Sequence, residues 1–558
     1  MVNSFWRYLG LLSLLLASTA NAADLFCGVD TDRSGAVDNA CPEPDKDHDG
    51  YPSSASYTGP YGTDVDCDDT DFFMYPGAET TTGCSAGQYK TCQSNGSYSA
   101  CSNVSAFTCH SGTGSTYWVD AAGVTTAGCG AHDSPCNWFC FSNSALSCYH
   151  APAAGDCVVF KDDGGAYSGT WSDAGTDRQF YFYNKDGTST DKITIRNEPG
   201  VRPVINGAGT SPTEVYPIRI EESNYVIVRG FEVDGTSDYS NTAISFAGGT
   251  APIAHNNYIH DIRGSANQNM GCLKAQGNTA GVSFHHNFCR DVYDAADATN
   301  QNSGGVTIMD DTGNFSVSDN VVYSSTRYHF GIRVKHHYTG ATATIKRNLV
   351  YNTSGYALGT EQASTTFANN WLNDCTGFGI DYKAIGSASC QFSSNVYEYN
   401  TFQGCPPAEI KPSTGDCPGA YGATIATTRY NVVSDDDASY AGDYTDGFIR
   451  VNFYGSDTDY TNASGKIIFN DNCYYNSAAA TLAFTYWGDV GSGASGANYS
   501  GLAAWQAAGF DSGSYNENPT LDSDGIASST NCSNKGWNKN LFTSVAASPA
   551  GGYMPYFE

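Results

Sequence analysis

The sequence has few basic residues for its length. Its 27 Lys and Arg face 57 Asp and Glu, which gives a formal net charge of −30. Because so acidic a surface repels phosphates, we expect no nucleic-acid partner. An acidic polysaccharide would be repelled as well, unless a local basic patch or bound cations intervene.

Long apolar runs are also scarce. The run LGLLSLLLA at residues 9–17 is too short for a bilayer, which needs about 20 residues. It lies between Arg7 and the small-residue pattern Ala20-Asn21-Ala22, so it predicts a secretory signal peptide over 1–22. A buried N-terminal helix is the alternative. No later segment is apolar enough to cross a membrane, and we therefore expect a secreted, extracellular protein without a transmembrane segment.

Charged residues make up only 15% of the chain, whereas glycine occurs 61 times. This composition favours a turn-rich β protein and not a helical one. Twelve of the 20 cysteines fall in the first 157 residues, as expected for disulfide bonds in an oxidising compartment. Zinc binding is the competing interpretation for Cys136 and Cys140, but no second pair follows at finger spacing.

Aspartates cluster densely near the predicted mature N-terminus, within residues 23–82. In the segments DTDRSGAVD, DKDHDGY and DVDCDDTD, carboxylates alternate along the chain, as they do in loops that wrap oxygens around Ca²⁺. The carboxylates that we expect to bind Ca²⁺ are Asp30, Asp32, Asp38, Asp45, Asp47, Asp49, Asp64, Asp66, Asp68, Asp69 and Asp71. A disordered acidic linker is the alternative. No loop is a complete EF-hand, because none has a bidentate Glu at its twelfth position.

The pattern DxDGY…DCDDxD…PGAE resembles the Asp-rich metal-binding repeats of secreted bacterial proteins, akin to thrombospondin type 3 repeats. The resemblance implies calcium in a structural or attachment role. The following residues, 83–113, are rich in Cys, Ser and Gly, and they predict a linker held by disulfides.

An internal repeat begins beyond residue 250. Six segments share an asparagine in the same local setting: NNYIHD, HNFCRD, DNVVYS, RNLVYN, NNWLND and YNTFQG. The aligned residues are Asn257, Asn287, Asn320, Asn348, Asn370 and Asn400. Intervals of 22 to 33 residues with variable loops predict a solenoid, whose stacked asparagines bond from coil to coil. A propeller is the alternative, and it would show a more constant period.

The segments GDCVVF, KITIRNEPGVRPVING and YVIVRGFEVDG resemble the first coils of right-handed parallel β-helix proteins of the pectate-lyase type. The stretch AAWQAAGFDSGSYNENPTL resembles their C-terminal segment. The resemblance implies an all-β fold, a right-handed parallel β-helix solenoid over 114–500 with a C-terminal coil and cap over 501–558. The small Asp- and Cys-rich module would precede it.

A second strand type alternates with the Asn-bearing one. In IRVKHH, Ile332 and Val334 point inward, so Arg333, Lys335 and His337 point outward. Extending the alternation predicts stacked outward columns. In these columns Asp311 and Glu361 flank His337 one coil away, Asp381 and Lys383 lie two coils after it, and Gly359 and Gly379 keep the floor low.

This outward patch fits the β-elimination of an acidic sugar chain. Arg333 would neutralise the substrate carboxylate, and Lys335 or His337 would remove the α-proton. Glu361 and Asp381 would hold Ca²⁺ together with Asp311. We also expect Lys274, Tyr382 and Lys383 to bind substrate. The family resemblance implies the same face, since lyases of this fold act in an outward groove with Arg or Lys bases.

Three alternatives stay open at this point. The charged columns are compatible with a solvated ion-pair ladder of little energetic consequence. An inverting hydrolase ranks lower, because it needs clustered carboxylates separated by a water. A non-catalytic extracellular protein, which is structural, filament-forming through self-association, or binds cell-surface glycans, also fits the calcium module. For His255, His260, His285 and His286, beside the Asn repeat, we expect structural roles.

Overall fold

The structure is a computed structural model of the chain. It describes residues 51, 57–58, 64–68, 71–109, 114–162, 165–168, 171–173, 176–207, 216–236, 242–264, 270–294, 303–309, 313–323, 330–335, 342–353, 355–361, 364–375, 379–384, 395–405, 408–412, 426–435, 449–453, 467–477, 482–488, 497–521, 527–533, 535–537 and 543–544. The predicted signal peptide lies outside these residues.

The chain divides into two compact units. The first comprises residues 1–102, 521–526 and 538–558, and the second comprises 103–520 and 527–537. In the first unit, Glu79–Thr80 pairs antiparallel with Gln88–Thr91, a sheet that Ser102–Asn103 extends. Tyr57–Thr58 pairs antiparallel with Thr543–Ser544. The predicted linker over 83–113 thus contains strands of its own.

The second unit is a parallel β-helix, as the repeat predicted, so the propeller alternative is wrong. Each coil contributes one strand to each of three long sheets, which we name A, B and C in chain order within a coil. Strands of successive coils pair in parallel; among the described strands of these three sheets, antiparallel pairs occur only at the two ends of sheet C. The predicted all-β fold with stacked coils is therefore confirmed.

Sheet A has 14 strands: Thr116–Asp120, Cys136–Asn137, Cys157–Phe160, Ile193–Asn197, Val226–Arg229, Ile253–His255, Ser283–His285, Phe315–Ser318, Thr342–Lys346, Ser364–Ala368, Asn395–Glu398, Ala426–Arg429, Ile467–Asn470 and Asp511–Ser512. Sheet B has 11: Val204–Asn206, Glu232–Asp234, Tyr258–Gly264, Phe288–Asp294, Val321–Tyr323, Leu349–Thr353, Trp371–Cys375, Thr401–Gln403, Val432–Asp435, Cys473–Asn476 and Tyr515–Asn516. Sheet C has 13: Trp171–Asp173, Thr176–Tyr183, Tyr216–Glu221, Thr242–Ala247, Gly271–Gln276, Gly304–Met309, Phe330–Lys335, Tyr356–Glu361, Ile380–Ala384, Ala408–Pro412, Ile449–Phe453, Ala483–Gly488 and Ala497–Ser500.

The core fills the space between the three sheets. Alternate residues of each sheet C strand point into it, and the same inward position carries an apolar side chain in coil after coil. That position is 0 to 1% exposed in Ile218, Ile244, Leu273, Val306, Ile332, Leu358 and Ile380. Because one coil cannot cover its own apolar side, stacking supplies the buried area that stabilises the fold.

A ladder of buried asparagines runs along the turns between sheets A and B. Each Nδ2 donates to Oδ1 of the asparagine in the next coil at 2.9 to 3.0 Å. The six predicted members are confirmed, and Asn431 and Asn472 extend the ladder to eight. It ends where the backbone N–H of Asn472 donates to Oγ of Ser514 at 2.7 Å.

The residue before each ladder asparagine adopts a left-handed conformation. Its φ lies between 52° and 59° in all eight coils, and none of these eight residues is glycine. A non-glycine residue accepts this region at a modest cost, which the side-chain bonds of the asparagine offset. Asp319 and Arg347 occupy this position in successive coils and form a buried, bidentate ion pair at 2.6 and 2.7 Å.

Both ends of the helix carry aromatic side chains. At the N-terminal end, the 3-10 helix Trp138–Phe141 places Trp138 against the ring of Tyr167. At the C-terminal end, the α-helix Leu502–Ala507 buries Trp505 completely, stacked on Phe484 and Phe510. These elements cover core positions that a further coil would otherwise have covered.

Disulfide bonds connect every cysteine that the structure describes. The pairs are Cys67–Cys92, Cys84–Cys101, Cys109–Cys157, Cys129–Cys136, Cys140–Cys148, Cys272–Cys289, Cys375–Cys405 and Cys473–Cys532. The zinc alternative for Cys136 and Cys140 is therefore wrong. Among the residues described here, no helix has the length and apolarity needed to cross a bilayer.

Candidate functional site

The outer face of sheet C brings together most of the residues predicted for the site. The strand pairings align Thr307, Arg333, Gly359, Asp381 and Glu409 in one column, which we call column 1. The neighbouring positions, two residues further along each strand, form column 2. Inward and outward positions alternate as the sequence predicted, because Ile332 and Val334 beside Arg333 are fully buried.

The predicted register is wrong by two residues from the strand Tyr356–Glu361 onward. Leu358 pairs with Ile332 and not with Val334. Glu361 consequently pairs with Lys335 instead of His337, so it belongs to column 2. A two-residue slip exchanges no inward and outward positions, and the apolar alternation used for the alignment could not detect it.

Column 2 concentrates charge in the middle of the helix. Met309 pairs with Lys335 and Lys335 with Glu361, and further along Lys383 pairs with Lys411. Column 1 gains Arg450, which pairs with Glu409. The sequence interpretation missed Glu409, Lys411 and Arg450, although all three lie in strands that alternate like those before them.

The guanidinium of Arg333 lies flat on an aromatic ring. Its Cζ is 4.3 Å from the ring centre of Phe330, three residues earlier in the chain. Gly359, on the next coil, leaves room for that ring, since a Cβ there would meet Phe330 ring atoms at 3.1 and 3.2 Å. Arg219 repeats the arrangement over Tyr216 at 4.6 Å. Attraction between the cation and the ring fixes the orientation of both arginines.

The two columns differ in accessibility. In column 1, Ser245, Lys274, Thr307 and Arg333 are only 0 to 7% exposed although they face away from the core. In column 2, the side chains of Ala247, Gln276, Met309 and Lys335 are half-buried. Lys335 is therefore the predicted catalytic residue that a ligand on this face reaches most directly.

Other predicted site residues lie elsewhere or beyond the described chain. His337 and Asp311 fall outside the described residues. Tyr382 pairs with Thr360, in the column that contains buried Val334, so it shares neither outward column. Lys383, in contrast, pairs with Lys411 beside the Asp381–Glu409 pair.

A cleft opens at the N-terminal end of the same face. Its volume is about 330 Å³, and its walls include Tyr149, Tyr181, Tyr183, Asn184 and Lys185. The rings of Tyr181 and Tyr183 stack at 5.9 Å, and Nζ of Lys185 lies 5.3 Å from the ring of Tyr149. Tyr181 pairs with Arg219 and thus lies in column 1. The exposed ring of Tyr183, the half-buried ring of Tyr149 and the ammonium group of Lys185 suit a sugar ring that carries an acid group.

The N-terminal aspartates are described only in part. Asp30, Asp32, Asp38, Asp45, Asp47, Asp49 and Asp69 lie outside the described residues. Asp66 is 6% exposed, and its Oδ1 accepts the backbone N–H of Asp68 at 3.2 Å. Burial, followed by the charges of Asp68, Asp66 and Asp71, raises the pKa of Tyr98.

The histidines beside the Asn ladder form a stack. His255 and His285 lie in adjacent sheet A strands with ring centres 4.8 Å apart. Nδ1 of His285 is also 2.9 Å from Nδ1 of His286. Burial, with the charge of His286 as the next cause, lowers the pKa of His285 to about 3. Burial likewise holds the pKa of His255 well below its usual value. Both rings are therefore neutral, in keeping with a structural role.

Comparison with known proteins shows fold-level likeness only. No family model matches the sequence, and no curated protein does. Among solved structures, the GH136 lacto-N-biosidase from Eubacterium ramulus is similar with a TM-score of 0.42 and 14% identity, over 66% of this chain and 64% of that one. An alginate lyase of the PL6 family has a TM-score of 0.38 and 12% identity, over 70% of this chain and 55% of that one. A pectate lyase has a TM-score of 0.37 and 14% identity, over 79% of this chain and 94% of that one. The chain thus spans less than two thirds of the first two proteins, and at these scores we draw no functional conclusion from them.

Proposed function

We propose that the protein is exported and binds an elongated acidic polysaccharide along the outer face of sheet C, where it cleaves the chain by β-elimination. One observation carries this proposal. In a chain of net charge −30, the pairing register gathers Lys335, Lys383 and Lys411 in one column, beside a column with Arg333 and Arg450. The same two columns contain Glu361, Asp381 and Glu409, so five basic positions accompany three acidic ones, and this local excess of positive charge is the condition under which an acidic protein attracts a polyanion.

Lys335 is the residue to which we assign proton removal. It lies in the half-buried column 2, next to Glu361 on the following coil. In the reaction, a base takes the proton from the carbon next to the uronate carboxylate, a carbon–carbon double bond forms, and the bond to the leaving oxygen breaks as that oxygen takes up a proton from water. A general base in the right position accelerates such a step by about 10²- to 10⁴-fold.

Neutralisation of the uronate carboxylate requires positive charge close to Lys335. We assign this role to Arg333, whose guanidinium is positioned by Phe330. Glu361 and Asp381 offer oxygen donors on the next two coils and would hold Ca²⁺, which prefers such ligands. When bound, Ca²⁺ would supply further charge neutralisation at the carboxylate. His337, which follows Lys335 in sequence, is the second candidate for proton transfer.

The tyrosine-lined cleft extends the same face. Five strand spacings of about 4.8 Å, roughly 24 Å in all, separate the strand Thr176–Tyr183 from Phe330–Lys335. A polysaccharide that follows the helix axis would cover both places. We assign the cleft to sugar binding, with Lys185 near an acid group and Lys274 contributing to the intervening column.

Incubation with alginate, pectate and glycosaminoglycans in the presence of Ca²⁺ tests the proposal. We expect one of them to yield unsaturated products, measured by their ultraviolet absorbance. Lys335→Ala should lower the rate by about 10²-fold or more without changing the melting temperature. Lys346→Ala, a half-buried lysine in sheet A, is the matched control and should keep full activity.

The outcomes separate the two classes of function. If no polysaccharide is cleaved but Lys335→Ala weakens binding, the protein is a non-catalytic glycan-binding protein. If cleavage is absent and binding is unchanged in Lys335→Ala and Arg333→Ala, the sheet C proposal is wrong. A structural or filament-forming role would then account for the fold.

We also propose that the Asp-rich segment binds Ca²⁺ and that this binding orders it. The described donors, Asp64, Asp66, Asp68 and Asp71, are all carboxylates within eight residues, and hard oxygen ligands fit Ca²⁺. Chelation should lower the melting temperature of the first unit and expose residues 24–82 to protease. Unchanged protease resistance after chelation would contradict this assignment.

A further inference from the structure

A cluster of side chains of metal-ligating types lies on the outer face of sheet B, away from the residues assigned to sheet C, and it includes His260, for which the sequence predicts a structural role. Asp234, His260 and Arg290 pair in successive coils and therefore form one column. Glu232 lies two residues before Asp234, and Asp261 follows His260 in the chain. One imidazole thus stands among three carboxylates, although 26 or more residues separate Glu232 and Asp234 from His260.

The distances within this cluster are short. Nδ1 of His260 lies 2.7 Å from Oδ2 of Asp261 and 3.8 Å from Oδ1 of Asp234. Its other ring nitrogen, Nε2, lies 3.2 Å from Oε1 of Glu232. The ligand atoms of Asp234, His260 and Asp261 all fall within 4.8 Å of one another. The His260 side chain is 4% exposed, whereas those of Asp234 and Asp261 are 27% and 23% exposed.

The cluster carries more negative than positive charge. Arg290 contacts Asp261 at 3.4 Å and Asp291 at 3.3 Å. Arg290 thus contacts two carboxylates, and with Glu232 and Asp234 beside His260 the cluster holds four carboxylates and one guanidinium. Even a protonated His260 would leave two negative charges in excess, and partly buried like charges repel one another strongly. A divalent cation would remove that excess.

We propose that Asp234, His260 and Asp261 bind a divalent transition metal of the zinc class. In tetrahedral coordination with bonds of about 2.0 Å, ligand atoms lie about 3.3 Å apart. The two distances from Nδ1 of His260, 2.7 and 3.8 Å, bracket that value, and the carboxylate oxygens of Asp234 and Asp261 lie within 4.8 Å of each other.

Glu232 supplies the outer contact that such a site requires. A ligating histidine normally donates its second N–H to a carboxylate, which fixes the tautomer and the ring orientation. With a metal bound, Nε2–H would donate to Oε1 of Glu232, 3.2 Å away, and Nδ1, which lies within hydrogen-bond distance of Asp261 in the structure, would give up that contact to ligate the metal. Asp234 is held in turn, because its Oδ1 accepts the backbone N–H of Thr236 at 2.8 Å.

The donor set decides the class of metal. An imidazole nitrogen with two carboxylates suits zinc, cobalt or manganese better than calcium, whose sites are built from six or more oxygens. Three protein ligands would leave a fourth position of a tetrahedral site open. An open position is typical of metal sites that bind a water or a small ligand.

Zinc retention by the full-length, oxidised protein tests the proposal. The protein is stripped with chelator, loaded with Zn²⁺ in the presence of excess Ca²⁺ to saturate other carboxylate sites, desalted and analysed for metal. We expect the wild type to retain one more equivalent than Asp234→Asn or His260→Gln. Glu232→Gln should weaken binding about 10-fold or more, as loss of such an outer contact usually does.

His132→Gln is the matched control, because His132 also pairs with an aspartate, Asp133, at 2.7 Å, and no second carboxylate among the described residues forms an ion pair with it. It should retain as much zinc as the wild type. If His260→Gln misfolds, the Asp234→Asn variant decides, since Asp234 is partly exposed. Cobalt loading should give visible absorption bands that Asp234→Asn abolishes. Equal zinc content in the wild type and Asp234→Asn would overturn the proposal and identify the cluster as an ion-pair network around an imidazolium.

Discussion

The turn between sheets A and B and the outer face of sheet C belong to the same coils, yet they use sequence in opposite ways. At the turn, eight coils place the same residue at the same position, 0 to 1% exposed and hydrogen-bonded in series. In column 1, successive coils carry Ser245, Lys274, Thr307, Arg333 and Gly359. The fold therefore requires asparagine at the ladder position, whereas it leaves the residues of column 1 free to vary. A residue that the backbone does not require is available for binding.

We expect the largest loss of stability from a substitution in the asparagine ladder. The Asn320→Ala variant leaves the carbonyls of Phe284 and Ser318 without their side-chain donor. It also removes the acceptor of Asn287, and each buried unsatisfied group costs about 1–3 kcal/mol. We expect a loss of about 3–5 kcal/mol in chemical denaturation. Gln276→Ala, in column 2, should stay within about 0.5 kcal/mol. Equal losses of unfolding free energy in Asn320→Ala and Gln276→Ala would contradict the distinction between the ladder and the outer columns.

The second prediction concerns pH and the histidine stack beside the ladder. The folded state keeps His285 neutral down to about pH 3, whereas the unfolded chain takes up the proton near its ordinary pKa of about 6.5. The contribution of neutral His285 to the free energy of unfolding is therefore fully present above about pH 6.5, and it is lost as the pH drops toward 3. The variant His285→Gln should show a shallower decrease in denaturation free energy over this window. Ser318 occupies the same column one coil later, so the position accepts an uncharged polar side chain. Parallel pH curves for the two proteins would contradict the buried, neutral assignment.

A smaller effect is expected on sheet C itself. The contact between Arg333 and the Phe330 ring should contribute about 1 kcal/mol, in the range of cation–π pairs between exposed and desolvated settings. A double-mutant cycle with Phe330→Leu and Arg333→Met isolates this term from the packing of either residue. Zero coupling would mean that the ring does not position the guanidinium.

The same contrast explains what the sequence could predict. The coil repeat was recognised from six ladder asparagines because each stands before a β-forming pair. Asn431 and Asn472 have that setting too, in NVV and NCYY. The sequence interpretation missed Asn431 although its interval of 31 residues lies within the range of the others, whereas the interval of 41 residues concealed Asn472. Identity from coil to coil therefore yields the fold, provided that loop length is allowed to vary.

The outward columns were harder to predict, since nothing repeats in them. The apolar alternation predicts correctly that Arg333 and Lys335 point outward, but it does not determine whether Gly359 or Ala357 pairs with Arg333. The grouping around His260 was missed for a related reason. Its carboxylates come from two coils, and only the paired register shows that Asp234 and His260 are neighbours.

Chemical modification of lysines tests the central claim most directly, namely that an acidic glycan lies on column 2 of sheet C. The protein is treated with an amine-acylating reagent with and without a saturating oligouronate, and peptide mass spectrometry reports the reactivity of each lysine. We predict that the ligand protects Lys335 and Lys411 several-fold and leaves Lys346, in sheet A, unchanged. Equal reactivity of Lys335 with and without a ligand that binds would contradict the account and place the glycan on another face.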